Sequence, residues 1–419
     1  MMVKRIFNAT VFVPAIFAFA STMLAAESES SAFLKKENEN ASVDIRGVVD
    51  SKGVYSGNNG PTELYPESSE GLSVSTFRLL LDSTFWKKLK ISLNAYQNIS
   101  ADTVIPSMIN TDYSDYRSVY LQHTWGSGKI SGSLVLDVFT VGVELGTVGI
   151  KLGRQPVVLA TYCTVFTPND IFYPFPTGSP DTAFRPGVDA GRIDWRFSDQ
   201  WKLILVGVLG YDQGNHPTWN ESAALATLVL NIDDSEFSFI GGKDDDRYFF
   251  GGGLSANIKS FGLTFEGNAS FPEANPSNGY VEIVTGANYK WRNSLQLILE
   301  YHYHGNGTMN PANYYNRLKT MDQMYDNFVG IHYLGLVLQG NVLPVLKLMG
   351  TAAVNLIDPS AEIIPAIVYN PADKIDLMLY GTIPIGRSAF MPSGGSEPEF
   401  RSEFGAYQYS ATLLARIYF

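Results

Sequence analysis

The chain has 419 residues, 30 Lys and Arg against 41 Asp and Glu, a net charge of −11 and one cysteine. An acidic balance without a basic footprint excludes nucleic acid as a partner. The lone Cys163 excludes an internal disulfide framework and the paired-cysteine sites that attach c-type haem, and no cofactor is expected.

The first element is a leader. Lys4 and Arg5 precede the apolar stretch VFVPAIFAFASTMLAA (11–26), which small residues close. It is too short and too interrupted to span a bilayer, so residues 1–26 read as a secretory signal peptide. Residues 27–41, ESESSAFLKKENENA, read as a flexible periplasmic leader. Beyond residue 26 no run reaches 18 apolar residues, so no transmembrane helix follows. Yet aromatics make up 13% of the chain, with 25 Phe, 23 Tyr and 38 Gly, and the mean hydropathy is −0.01. A transmembrane β-barrel has this profile, because half of each strand faces lipid and half faces water.

Segments alternating at a period of 2 fill residues 42–419. The first three are SVDIRGVVD (42–50), LSVSTFRLLLD (72–82) and LKISLNAYQ (89–97). The stretch 112–136 is ambiguous and could add a hairpin. In 147–155, Val148, Ile150 and Leu152 take the lipid side, with Lys151 and Gln155 facing inward. A long segment, 156–186, separates this strand from 187–197. There Ile193, Trp195 and Phe197 face lipid, while Arg192, Asp194 and Arg196 face the lumen.

Further on, Phe261, Leu263 and Phe265 oppose Thr264, Glu266 and Asn268. In 294–304, Leu297, Leu299 and Tyr301 oppose Glu300, His302 and His304. In 344–357, Leu346, Leu348 and Val354 oppose Lys347, Thr351 and Asn355. The last strand runs to the terminal Phe419, with Ile417, Ala415 and Leu413 on its apolar side. Short connections at 146–147, 197–200, 233–236, 259–260, 292–294, 341–343 and 371–374 alternate with longer ones at 156–186, 212–221, 272–278, 305–325 and 387–402. That sorting predicts an all-β fold: an antiparallel up-and-down transmembrane barrel of about 18 strands, within 16–20. Its last strand must pair with its first, because lipid cannot satisfy an open sheet edge.

Three groups could carry chemistry. Lys151, Arg192 and Arg196 with Asp194 and Gln155 would form a charged cluster in the lumen near 156–186, the candidate constriction, and set ion selectivity. The alternative is that these charges pair and brace the wall. His302 and His304 share a face with Glu300 at a spacing that can chelate a metal. The plainer reading is that they are solvated lumen or rim residues, and no metal is assigned. KDDDR (243–247) could bind Ca²⁺, or simply be a solvated tight loop. No nucleophile–base order, phosphate loop or acid pair points to catalysis.

The stretch IKLGRQPVVLATYCTVFTPNDIFYPF (150–175) with FRPGVDAGRIDWRF (184–197) resembles a broad class of Gram-negative outer-membrane porin-like barrels that includes relatives of the alginate exporters. The region 328–379 shares the likeness. The matching positions are Gly153, Arg154 and Gln155, then Asn169 and Asp170, then Arg185 and Asp189. The resemblance implies residence in the bacterial outer membrane, among lipid and lipopolysaccharide. It also implies that Phe419 ends a strand read by the barrel assembly machinery. The expected function is passive diffusion of small polar solutes, not catalysis. Two rivals are a sheath around a partner such as a multihaem cytochrome, and an exporter of a polysaccharide.

Overall fold

A computed structural model describes residues 34–38, 40–58, 60–61, 64–65, 67–102, 116–292, 294–320, 328–395 and 397–419. The signal peptide, residues 27–33 of the leader and residues 103–115 lie outside the described residues.

The chain forms one antiparallel sheet closed on itself. It opens with β1 (Leu34–Glu37), β2 (Ala41–Gly57), β3 (Ser69–Phe85), β4 (Leu89–Asp102) and β5 (Gln122–Ser127). Then come β6 (Ile130–Leu145), β7 (Val148–Gln155), β8 (Val188–Arg196), β9 (Trp201–Tyr211) and β10 (Pro217–Ile232). The series continues with β11 (Ser235–Asp244), β12 (Arg247–Ile258), β13 (Phe261–Pro272), β14 (Tyr280–Lys290) and β15 (Gln296–His304). A short helix, α1 (Tyr314–Thr320), precedes β16 (His332–Leu343), β17 (Leu346–Asn355), β18 (Ser360–Ala372), β19 (Ile375–Ile385) and β20 (Tyr409–Tyr418). Without β1 and β5 these close a ring of 18 strands.

The seam joins β2 to β20, from Val48 opposite Tyr418 to Gly57 opposite Tyr409. Beyond it, the Gly47 amide donates to the Phe419 carbonyl at 2.7 Å, and the Phe419 amide returns a bond to the Gly47 carbonyl at 3.0 Å. The predicted closure is therefore made up to the last residue. β20 ends at that level, but β2 continues below it. There β1 takes the vacant edge, pairing Leu34–Glu37 with Ser42–Ile45. Residues 34–37, expected in a flexible leader, are thus held as a strand, because an unpaired edge is a run of unsatisfied backbone groups.

The ambiguous stretch adds one strand outside the ring. Residues 130–135 of β6 pair with β4 on one side and with β5 on the other. β7 is only 8 residues long, and its last register pair with β6 is Phe139 opposite Arg154. β5 therefore covers the part of β6 that β7 does not reach.

The alternation matches the predicted faces. Phe265 is 41% exposed on the outer wall, while Glu266 beside it is fully buried inside. Leu299 and Leu348 face out, while Glu300, His302, His304, Thr351 and Asn355 are buried. The two histidines are thus not solvated rim residues. Loop lengths sort less cleanly than expected. The connections 245–246 and 356–359 are short, although they lie at the end opposite Phe419. The loop expected over 212–221 is confined to 212–216, because Pro217–Glu221 already belong to β10.

Candidate functional site

The site is the lumen and the segment that fills it. Pro156 ends β7, since proline cannot donate to the ladder. The chain then leaves the wall for residues 156–187 and re-enters at β8. Just before it leaves, Gly153 adopts φ +115°, and a Cβ there would collide with the Phe139 carbonyl. The left-handed conformation, which glycine adopts without strain, turns β7 just before it leaves β6.

The loop first packs on apolar residues of the inner wall. Val157, Leu159, Ile171 and Phe172 meet Val188, Ile204, Val206, Val208, Leu225 and Phe249. A carboxylate cradle follows. Glu266 of β13 accepts the backbone N–H groups of Tyr162 and Cys163, both at 2.5 Å. Glu300 of β15 accepts those of Thr164, Val165 and Phe166 at 2.6, 2.9 and 3.1 Å. Five successive donors, which no helix or sheet satisfies here, are thereby paired. Cys163, Val165 and Phe166 pack on Val284, Ile298, Tyr333 and Val337. Asn169 donates to the Gly252 carbonyl at 3.0 Å, and Asn268 donates to the Pro168 carbonyl at 2.8 Å.

The loop then crosses the lumen. At Gly178, with φ +68°, a Cβ would come within about 3.0 Å of Ile364 and Thr351, on β18 and β17. Asp181 accepts from Arg416 of β20 at 2.9 Å. The Phe184 ring lies under two guanidinium groups, Arg78 at 4.1 Å and Arg416 at 5.3 Å. Arg185 then pairs with Asp170 through both carboxylate oxygens, at 2.5 and 2.8 Å, closing the loop on itself.

The residues singled out in the loop motif make two Arg–Asp forks. One is Arg185–Asp170. The other is Arg154–Asp189, at 2.6 and 2.9 Å, buried where the loop leaves and rejoins the wall. Asp189 also accepts from the Ser118 amide at 2.7 Å and the Tyr211 hydroxyl at 3.0 Å. Gln155 is buried and donates to the Ala190 carbonyl at 3.0 Å.

Lys151 and Arg192 are register partners on β7 and β8. Arg192 forks onto Asp194 at 2.7 and 2.9 Å, and Lys202 reaches the same carboxylate at 2.8 Å. Arg196 is exposed at the end of β8 that lies on the same side of the barrel as Phe419. This cluster therefore sits below the start of the loop. The loop's own ionic anchor is on the opposite wall, at Arg416.

Sequence reading missed the cradle and the arginines of the far wall. Arg78 pairs with Asp137 at 2.9 Å and Arg416 with Asp50 at 2.5 Å, while Arg46 pairs with Asp82. Parity alone places Arg46, Arg78 and Arg416 inward. Another overlooked signal was apolar composition on both faces. In LILVGVLG (203–210) neither face is polar, as expected for a strand with lipid on one side and a packed loop on the other.

A cavity of about 510 Å³ remains between residues 165–177 of the loop and the wall from β11 to β15. Asp170, Asp245, Asp246, Glu282, His302 and His304 line it. His302 Nε2 lies 3.2 Å from Glu282 Oε2, and His304 Nε2 lies 3.9 Å from Oε1. Among the described residues no cluster of three or more His, Cys, Asp or Glu is placed to hold a metal. Lys243 and Asp244 of the KDDDR segment are buried, so it is not a solvated loop throughout.

No family model matches the sequence, and no curated protein matches it. Solved structures do share the fold. The outer membrane protein OprD from Pseudomonas aeruginosa aligns with a TM-score of 0.55 at 9% identity, over 93% of this chain and 95% of that one. OccK9 (OpdG) of the same organism aligns at 0.54 and 9% identity, over 90% and 98%. OccK11 (OpdR), also from it, gives 0.52 and 12%, over 89% and 95%. The chain therefore has the fold of an 18-stranded outer-membrane porin-like barrel.

Proposed function

We propose that the protein is a loop-constricted, porin-like channel of the bacterial outer membrane that passes small polar solutes by diffusion. The single observation that carries this is the placement of residues 156–187 inside the lumen, bonded to Glu266, Glu300 and Arg416. A ring of 18 strands encloses space for water, and a folded loop narrows it without a second chain. Phe419 then lies on the periplasmic side and the long loops outside. Lipid and lipopolysaccharide surround the barrel, and the assembly machinery engages the strand ending in Phe419. The reading is that of a channel rather than an enzyme.

The structures that share the fold support the porin reading. A relation to alginate-export-type barrels gains no support from them and rests on the sequence likeness of 150–197 and 328–379. The sheath reading needs an empty lumen, and the loop occupies the space a threaded cytochrome would take. The test uses purified protein in planar bilayers. Discrete conductance steps are expected, and deletion of residues 174–181 should enlarge them. Silence of both proteins, with a stably co-purifying haem partner, would replace the channel by the sheath.

A further inference from the structure

We infer that Glu266 and Glu300 set the bore of the channel, as positioning residues that hold loop 156–187 against one side of the lumen. The inference rests on the channel reading and names the groups that make the constriction permanent. The loop has two kinds of anchor. The far one, Asp181 on Arg416 with Phe184 beneath two guanidinium groups, joins side chains across the lumen. It leaves Asp181 partly exposed, so water competes for it. The near one joins backbone to wall. Glu266 and Glu300 are buried, and their hydrogen bonds go to five consecutive amides, two on one acid and three on the other.

Backbone donors cannot change rotamer. Freeing them requires the whole segment 162–166 to leave, and Phe166 with it. The two acids lie on β13 and β15, either side of β14, so they meet a run of amides laid across three strands. β14 makes room: a side chain at Gly286 would meet Glu300 Cγ at 3.0 Å. A carboxylate presents two oxygens with several lone pairs. At Glu300 one oxygen takes Thr164 and the other takes Val165 and Phe166, so a carboxamide there turns donors onto the loop's own N–H groups. At Glu266 both amides rest on Oε1, so a carboxamide keeps that acceptor but loses the charge that strengthens its bonds. In the double variant the cradle repels part of what it held and loosens the rest, and the loop swings toward the open lumen on its remaining anchors.

The test uses the full chain, purified and reconstituted. Glu266→Gln, Glu300→Gln and the double variant are compared with the unaltered protein by single-channel current and by liposome swelling in neutral sugars of increasing size. Neutral sugars report bore and ignore the change of charge. Heat-modifiable migration on gels confirms that each barrel is closed. The double variant is expected to raise sugar flux for the largest solutes about tenfold, since an 18-stranded ring without its inner loop is wide. A second variant guards against misassembly. In Glu266→Cys, a short bis-methanethiosulfonate cross-linker joins position 266 to Cys163, whose amide the carboxylate held; each thiolate displaces a methanesulfinate and forms a disulfide with the linker. Cross-linking should restore the original size limit, and a reducing agent should release it.

An unchanged sugar limit in the assembled double variant would overturn the inference and leave the channel reading intact. So would a Glu266→Cys protein whose limit ignores cross-linking and reduction. A protein that passes neither ions nor sugar, with or without its loop, would overturn the channel reading itself and this inference with it.

Discussion

The ring of Phe419, the last residue, lies across the backbone of Gly47, where any Cβ would run into it. A second such pair sits ten residues away on each strand, where the Tyr409 ring covers Gly57. An aromatic over a glycine at both ends of one strand pair fixes its register, because a slip by one residue puts both rings against a Cβ. Gly47→Val should therefore cost assembly through overpacking, of the order of 1–3 kcal/mol. The check is the fraction of heat-modifiable barrel recovered in the membrane. Deletion of Phe419 should act in the same direction, leaving protein in the periplasm, and normal membrane levels would show the terminus to be incidental.

Arg416 serves two acids, Asp50 at 2.5 Å and Asp181 at 2.9 Å. Arg416→Ala leaves Asp50 buried without its cation, which costs about 3–5 kcal/mol. Asp181→Asn keeps the Arg416–Asp50 pair and removes only the tie to the loop. Stability should change by less than ~1 kcal/mol, while single-channel current should become noisier as the loop moves. Thermal unfolding in detergent and bilayer recording separate the two variants.

Phe184→Ala removes the ring that Arg78 and Arg416 share. Each cation–π contact is worth about 0.5–1 kcal/mol. The variant should fold normally and admit slightly larger sugars in the swelling assay.

Arg192→Ala combined with Arg196→Ala should move the permeability ratio toward cations, because positive charge is lost from the wall. The change should stay below about twofold, since Asp194 already neutralises Arg192 and retains Lys202 as a partner. Reversal potentials in a salt gradient measure it.

Glu403, in the long loop between β19 and β20, is buried and accepts from the Val329 amide at 3.0 Å, Tyr333 at 2.6 Å and Asn355 at 2.6 Å. Asp358, Tyr407 and Tyr314 face the same network. Burial pushes the Glu403 carboxyl up to about 7. A carboxyl raised on folding adds stability that is full below its unfolded value and is lost as pH rises through about 7. Hydrogen exchange at Val329 and Gly330 should therefore quicken between about pH 5 and about pH 8 beyond its intrinsic rate. Glu403→Gln should remove that pH dependence.

The sequence alone determined the barrel. A period of 2 sustained from Ser42 to Phe419 says which side chains meet lipid, because lipid and water select opposite chemistry on alternate residues. Strand number, closure at the C-terminus and the loop after Gln155 followed from the same alternation. Long-range partners did not, because period and parity locate a residue on a face but not across the lumen. Glu266 and Glu300 each looked like one more polar lumen residue. Only the fold brings them, 34 positions apart in the numbering, beneath five successive amides of a loop more than 100 residues upstream. The same holds for Arg416 and Asp50, 366 residues apart in the chain and register partners at the seam. Local chemistry wrote the wall, while the constriction depends on which inward groups closure of the ring sets face to face.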